Sequence, residues 1–364
     1  MNEKDAKYYV LNLAVLMSLL STILLSAAYI LDPFQIFHAS YFVKDRYARD
    51  FERFQNAGVI AQMMKREDCC DTVIIGTSYS QNFLPSHVEK TLSGKGILQM
   101  SLSGSLPSEQ KILHEQVTKS GEIKNVIWDV HNTYAEDKVC APNDPEILQI
   151  SPGKFFPQFL YDENRLNDYF YLASIDVFFR FKYLIAHGKS YEKYQSWYDE
   201  ARESFGKGKE LGLTDTNFSE KTAPATFDAY KFPNIDDILL PTIKNHPDQE
   251  FLLFLPPYSR HFYATMAPKE FTRMMNMRYA LAQALKDYPN AKIFSFDEWS
   301  ETADLDNYKD LGHFSADMSK KIIQSMKDGK DILTAPDTKA HIGRLTDNVN
   351  LYIRQFKAKQ DHEP

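Results

Sequence analysis

The chain begins with a long apolar segment. Residues 8–31, YYVLNLAVLMSLLSTILLSAAYIL, contain no charged residue. A helix rises about 1.5 Å per residue, so this segment is long enough to cross a hydrocarbon core of about 30 Å. A cleaved signal peptide is the alternative, with Ser26-Ala27-Ala28 as a small-residue cleavage site, but its apolar region would be shorter. The pattern predicts one transmembrane helix over residues 8–31, after a tail of residues 1–7.

Further along, short β-branched stretches alternate with helical ones. Five stretches read as buried strands, at residues 71–78, 96–104, 125–132, 250–257 and 291–299. The helical patterns between and after them cover residues 85–92, 107–121, 232–246 (interrupted by Pro241), 271–289 and 315–329, the last with Ser315 as its N-cap. This alternation predicts the α/β class: a three-layer, flavodoxin-like fold with five parallel strands and helices on both faces.

The alternation of strands and helices also sets the expected domain boundaries. Residues 32–70 form a juxtamembrane segment with a helical pattern over 47–65, and residues 71–334 form the α/β domain. Residues 141–225 interrupt the alternation with an aromatic-rich stretch, predicted to be helical over 165–189, and we interpret them as an insertion that caps the domain. Residues 335–364 are predicted to form a helical tail.

Composition narrows the choice of function. The chain has 364 residues and a net charge of −7, so it lacks the basic surface expected of a nucleic-acid-binding protein. Its many aromatic residues fit either a filled core or a surface that stacks on sugars. Cys69, Cys70 and Cys140 have no metal-binding spacing. They are expected to be buried free thiols, or one of the first two could pair with Cys140 in an oxidising compartment.

Polar residues follow each predicted strand. The carboxyl ends of parallel strands meet at one edge of the sheet, where ligands bind. Acyl transfer needs a hydroxyl nucleophile, an imidazole base, an acid that orients the base, and donors for an oxyanion. The chain offers these groups in order at the strand ends: Ser78, Gly104, Asn132, and the Asp310 and His313 of DLGH. Ser80 is an alternative nucleophile.

These motifs resemble those of the SGNH/GDSL hydrolase superfamily. IIGTS is similar to the first block of that family, which implies Ser78 as the nucleophile. LSGS and DVHN are similar to the next two blocks, which implies that the Gly104 N–H and the Asn132 amide donate to the oxyanion. DLGH is similar to the last block, which implies that Asp310 orients His313 and that His313 activates Ser78.

The chain departs from the family pattern in two places. Thr77 stands where the family has Asp. His131-Asn132-Thr133 replaces Gly-x-Asn-Asp.

One span followed by such a domain is similar to a narrower group of cell-envelope proteins. These act beside membrane-bound O-acyltransferases in alginate acetylation or in D-alanine transfer to teichoic acid. The similarity implies an inner-membrane anchor, a periplasmic domain, an acyl donor, a glycopolymer acceptor, an O-acyltransferase partner, and no metal or other cofactor. The alternative is an inactive scaffold that binds a glycan or such a partner.

The charges that flank the span do not decide its orientation. Lys4 and Lys7 precede the span, whereas Lys44, Arg46 and Arg49 follow it, so the charges hardly choose an orientation. The resemblance and the short, nearly neutral tail favour an outward-facing domain.

Three residues after the fourth strand are either substrate contacts or solvated loop residues: Tyr258, Arg260 and His261.

Overall fold

The computed structural model describes residues 3–39, 52–63, 65, 69–150, 155–187, 218–227 and 231–360. The helices are α1 (Glu3–Leu31), α2 (Glu52–Met63), α3 (Pro85–Leu92), α4 (Pro107–Thr118), α5 (Pro145–Ile150), α6 (Ile175–His187), α7 (Leu240–Asn245), α8 (Arg260–Thr265), α9 (Pro268–Ala284), α10 (Ala316–Asp328) and α11 (Thr338–Gln360). The strands are β1 (Thr72–Ile75), β2 (Ile97–Gln99), β3 (Asn125–Asp129), β4 (Glu250–Leu255) and β5 (Ala291–Ser295).

The chain forms two compact units. An N-terminal unit contains residues 1–67 and 156–194, and a sheet domain contains residues 68–155 and 195–364. The sequence predicted that the whole insertion, residues 141–225, would belong to the α/β domain. This prediction was wrong for residues 156–194, because the ring of Tyr171 packs against Phe34, which in turn stacks on Phe54.

Helix α1 is long and apolar enough to span a membrane, with a mean hydropathy of 2.2 over an 18-residue stretch within Lys4–Leu31. It begins at Glu3, earlier than residue 8, because the charged residues before the apolar segment continue the helix. After α1, the buried Asp32 carboxylate accepts hydrogen bonds from the N–H groups of Ile36, Phe37 and His38, at 2.8–3.0 Å. These bonds fix the turn that ends the helix.

The structure differs from two helical predictions in this unit. The predicted helix at 47–65 appears as α2, and its predicted start at residues 47–51 lies outside the described residues. The single helix predicted over 165–189 is a 3₁₀ helix, Asn167–Ala173, followed by α6. The break falls at Ser174, whose hydroxyl accepts a hydrogen bond from the Asp176 N–H and so starts a new helix.

The sheet confirms the predicted five parallel strands. Its order is β2-β1-β3-β4-β5, the order of a doubly wound sheet. Alternate strand residues point to opposite faces. One face packs on α3 and α10, through a buried cluster that includes Ile74, Ile127, Phe254 and Ile322. The other face packs on α4, where the Trp128 indole N–H donates to Gln110 Oε1 at 2.9 Å.

The predicted strands are longer than the observed ones at their carboxyl ends. The largest difference is at β2, an edge strand predicted over 96–104 and observed over Ile97–Gln99. Beyond it, the N–H groups of Met100 and Leu102 still donate to β1 and to Gly76, at 2.8 Å. The chain therefore stays beside β1 and delivers Gly104 to the carboxyl edge of the sheet.

The helices of the sheet domain are close to their predicted positions. Helix α3 has the predicted bounds, and Ser315 caps α10 by accepting a hydrogen bond from the Met318 N–H. At Pro241, the predicted helix divides into a π-helical turn, Asn234–Leu239, and α7, because proline has no N–H to donate. Helix α8 was not predicted.

Helix α11 is part of the sheet domain. The sequence predicted a helical tail over 335–364, and the helix itself is confirmed. Its apolar residues are buried in a cluster with α8 and α9, however, so the interpretation as a tail outside the domain was wrong. The buried residues of α11 in this cluster are Ile342, Leu345, Val349 and Ile353.

Candidate active site

Ser78 and His313 meet at the carboxyl edge of the sheet. Ser78 lies in the turn after β1, and His313 lies in the loop between β5 and α10. The two side chains come from positions 235 residues apart, and Ser78 Oγ lies 2.7 Å from His313 Nε2. The hydroxyl is therefore within hydrogen-bond reach of the imidazole. Both side chains are partly exposed, so the pair is accessible from solvent.

Asp310 holds the other side of the imidazole. Its Oδ2 lies 2.7 Å from His313 Nδ1, and its Oδ1 accepts the N–H groups of Gly312 at 2.9 Å and His313 at 2.8 Å. Burial opposes ionisation of this carboxyl, but the hydrogen bonds from the His313 side chain and the two N–H groups outweigh it and lower the pKa of Asp310 to about 2. Asp310 is therefore ionised at neutral pH and fixes the tautomer with hydrogen on Nδ1.

The loop that carries Asp310 and His313 is anchored to the end of β4. The Tyr308 hydroxyl donates to the Pro257 carbonyl at 2.7 Å, and the Ser259 hydroxyl donates to the Leu311 carbonyl at 2.6 Å. Tyr308 is fully buried. These bonds place the loop beside β4, so the imidazole is held by the sheet rather than by the loop alone.

Backbone amides near Ser78 are available as oxyanion donors. Gly104 has a φ of +56°, which turns the chain after β2 sharply at little cost for glycine. Within the described residues, neither the Ser78 N–H nor the Gly104 N–H donates to another group. Asn132 is exposed at the end of β3, and its own N–H donates to the Tyr258 hydroxyl at 3.3 Å. Its side-chain amide thus remains available at the same edge.

A buried carboxylate beneath Ser78 was missed by the sequence analysis. Asp129, the last residue of β3, accepts hydrogen bonds from the Thr77 N–H at 2.5 Å and the Thr77 hydroxyl at 2.7 Å. It is fully buried and also contacts His131 Nδ1 and Gln110 Nε2, at 3.1 and 3.0 Å. A carboxylate ending an apolar strand was the available signal. Asp129 therefore holds Thr77 in the turn that carries Ser78.

Gly76 allows this approach. A Cβ at position 76 would lie closer than 3.0 Å to the Asp129 carboxyl and to Ser80 Oγ. Ser80, the alternative nucleophile, is fully buried, and its hydroxyl bonds to the Thr77 carbonyl and to Ser101 Oγ. Ser80 therefore supports the turn, whereas Ser78 faces the imidazole.

We expect Thr77→Val to destabilise the sheet domain. The change removes one hydrogen bond to a buried carboxylate, which costs about 2 kcal/mol and corresponds to a thermal midpoint lower by roughly 4–8 °C. Thr77→Ser keeps the hydroxyl and should retain most of the stability. Thermal unfolding of the full chain in detergent measures both variants. Equal midpoints for the valine and serine variants would show that the Thr77–Asp129 bond does not stabilise the turn.

Aromatic rings buttress the imidazole. Tyr79 stacks on His313, with ring centroids 4.9 Å apart, and meets Tyr258 edge to face at 5.3 Å. Tyr258, which the sequence analysis considered as a substrate contact, is fully buried in this structure. Its position after β4 instead lets it support Tyr79 and the Asn132 backbone. No local sequence pattern predicts this stacking, because it depends on the packing of three strand ends.

The remaining residues after β4 lie in α8 rather than in a solvated loop. Arg260 begins this helix, and burial lowers the pKa of its guanidinium. Its Nε is buried and makes no hydrogen bond with the described part of the chain. His261 is buried against α11, where its Nδ1 lies 3.0 Å from the Tyr352 hydroxyl. The structure therefore does not bring His261 to the Ser78 edge.

Metal-binding clusters and disulfides do not contribute to this site in the part of the chain that is described. No group of three or more His, Cys, Asp and Glu side chains is placed there to hold a metal ion. Cys69, Cys70 and Cys140 are free thiols, so the pairing with Cys140 considered from the sequence is not formed. Comparison with protein-family models and with curated proteins finds no match for this chain.

Proposed function

We propose that this protein is a membrane-anchored serine acyltransferase or esterase of the SGNH type, acting on acyl groups of an extracytoplasmic polysaccharide or glycopolymer. One observation carries the proposal: the continuous hydrogen-bonded chain from Ser78 through His313 to Asp310, with both joining distances at 2.7 Å. This is the arrangement that activates a serine hydroxyl for attack on an ester.

The chemistry follows from the positions of the atoms. His313 Nε2 accepts the Ser78 proton while Ser78 Oγ attacks the acyl carbonyl, and the Nδ1–H continues to donate to Asp310. The Ser78 and Gly104 N–H groups, together with the Asn132 amide, stabilise the oxyanion. His313 then returns the proton to the leaving alcohol. Water or a sugar hydroxyl, deprotonated in turn by His313, releases the acyl group and regenerates Ser78.

A fluorophosphonate probe tests this proposal, because it reacts with an activated serine. We expect stoichiometric labelling of the full chain, with the added mass on the peptide that contains Ser78. Ser78→Ala should abolish labelling, whereas Ser86→Ala, an exposed serine on α3, should leave it unchanged. A folded wild-type protein that stays unlabelled would instead support the inactive scaffold, which binds a glycan or an O-acyltransferase partner without acyl chemistry.

The proposed location is the inner membrane, with the sheet domain in the periplasm. Helix α1 supports an anchor, and the side of the membrane rests on the resemblance of the site motifs to cell-envelope proteins. In spheroplasts of a Gram-negative host, added protease should digest the sheet domain and leave a short protected N-terminal fragment. A sheet domain that resists digestion until the membrane is permeabilised would reverse the topology and remove the proposed surface substrate.

A further inference from the structure

A cleft of about 380 Å³ lies beside the candidate active site, within the sheet domain. Its walls come from the turn after β3 and from helices α8 and α9. Its volume falls within the range of about 300–1,000 Å³ in which proteins hold small ligands. It is far larger than a short acyl group needs. The residues that matter below are Asn132, Glu136, Phe262, Met266, Glu270 and Arg273.

The cleft shares Asn132 with the carboxyl edge of the sheet, and a row of packed rings joins its wall to His313. Asn132 lines the cleft and is one of the proposed oxyanion donors. Phe262, in the wall, stacks on Tyr258 with centroids 4.5 Å apart, and Tyr258 contacts Tyr79, which stacks on His313. A substrate whose ester reaches Ser78 can therefore place its adjoining part in this cleft.

The charges in the cleft are unbalanced. Among the described residues of its lining, Arg273 is the cation, and this guanidinium is already paired with Glu136 at 3.4 Å and Asp137 at 3.0 Å. Glu270 also lines the cleft, is exposed, and forms no ion pair or hydrogen bond with any described residue. Among these described residues, an anionic ligand would meet an unpaired carboxylate and no free cation. A ligand with hydroxyl or amino groups would find an acceptor there.

The lining combines groups that suit a sugar ring. Phe262 and Met266 offer apolar surface for its C–H groups, while Asn132, Glu270 and Arg273 offer planar polar groups for its hydroxyls. Building on the proposed acyl-ester activity, we propose that this cleft binds a sugar ring of the substrate and that this ring carries no negative charge. The cleft thereby selects neutral or amino-sugar polymers over polyuronates and other polyanions.

Ligand binding to the full-length Ser78→Ala protein in detergent tests the proposal without turnover. The probes are mannotriose and trimannuronate of the same linkage, which differ only in oxidation of the exocyclic carbon to a carboxylate, with cellotriose and xylotriose as further neutral sugars. We expect at least one neutral trisaccharide to bind at millimolar concentration and mannotriose to bind at least about tenfold more tightly than trimannuronate. Glu270→Lys should reverse that preference, whereas Lys269→Ala, an exposed neighbour outside the cleft, should preserve it.

The proposal would be overturned if trimannuronate bound as tightly as mannotriose or more tightly, or if no neutral trisaccharide bound. A preference that is unchanged in Glu270→Lys would also contradict it, because the charge argument rests on that carboxylate. These outcomes are separate from the fate of the proposed function. The fluorophosphonate reaction of the wild-type protein reports on the activated serine, whereas sugar binding is measured on a variant that lacks it.

Discussion

Replacing His313 with alanine is expected to lower kcat/KM for hydrolysis of p-nitrophenyl acetate by about a thousandfold or more. Ser78 Oγ has its hydrogen-bond partner in His313 Nε2, at 2.7 Å. Without the imidazole, no base accepts the serine proton at neutral pH, and the hydroxyl is a weak nucleophile. Steady-state kinetics and the rate of fluorophosphonate labelling should fall together, since both report on the same activated hydroxyl.

A double variant makes this test sharper. If Ser78 and His313 act as one unit, Ser78→Ala with His313→Ala should be no slower than either single variant. His87→Ala is the matched control, because His87 lies on α3 and its ring contacts Thr91 at 3.4 Å rather than the Ser78 site. Independent, multiplicative losses for Ser78 and His313 would contradict a shared role.

The alternation of strands and helices could be predicted because each element is determined by residues that are close together in the sequence. Each buried strand is a short apolar run, and helix boundaries carry their own caps, such as Ser315 before α10. The order of the strands then brings their carboxyl ends together, so Ser78, Asp310 and His313 could be placed at one edge before any contact was known. The topology of the sheet alone was enough to predict that these residues, distant in the sequence, lie at the same edge.

Contacts between side chains of different strand ends could not be predicted in this way. Asp129 accepts a hydrogen bond from Thr77, 52 residues away, and no local sequence pattern at either residue predicts that the two side chains pair. The stacking of Tyr79 on His313 is similar, since it depends on how two loops pack. The division of the insertion also escaped prediction, because helical periodicity reports that a face is apolar but not which unit covers it.

Replacing Asp310 with asparagine is the second change with a large expected effect. The amide keeps the shape of the side chain but loses the charge that stabilises the imidazolium during attack, and it no longer enforces hydrogen on Nδ1. We expect kcat to fall by about a hundredfold or more, with little change in KM. The loss should be smaller than for His313→Ala, because the Asp310 side chain is 40% exposed and water can partly replace it. Asp317→Asn, an exposed acid in the first turn of α10, should change kcat less than about twofold.

The pH dependence of stability gives this variant a second readout. The folded-state pKa of Asp310 is about 2, below its ordinary value of 3.8, so its ionised form stabilises the fold above that value. This contribution disappears as pH falls from about 4 through about 2. The thermal midpoint of the wild-type protein should therefore decline more steeply over that interval than that of Asp310→Asn. An identical decline in both proteins, together with an unchanged kcat, would mean that Asp310 neither holds His313 nor serves the reaction, and the catalytic assignment of the DLGH motif would fall with it.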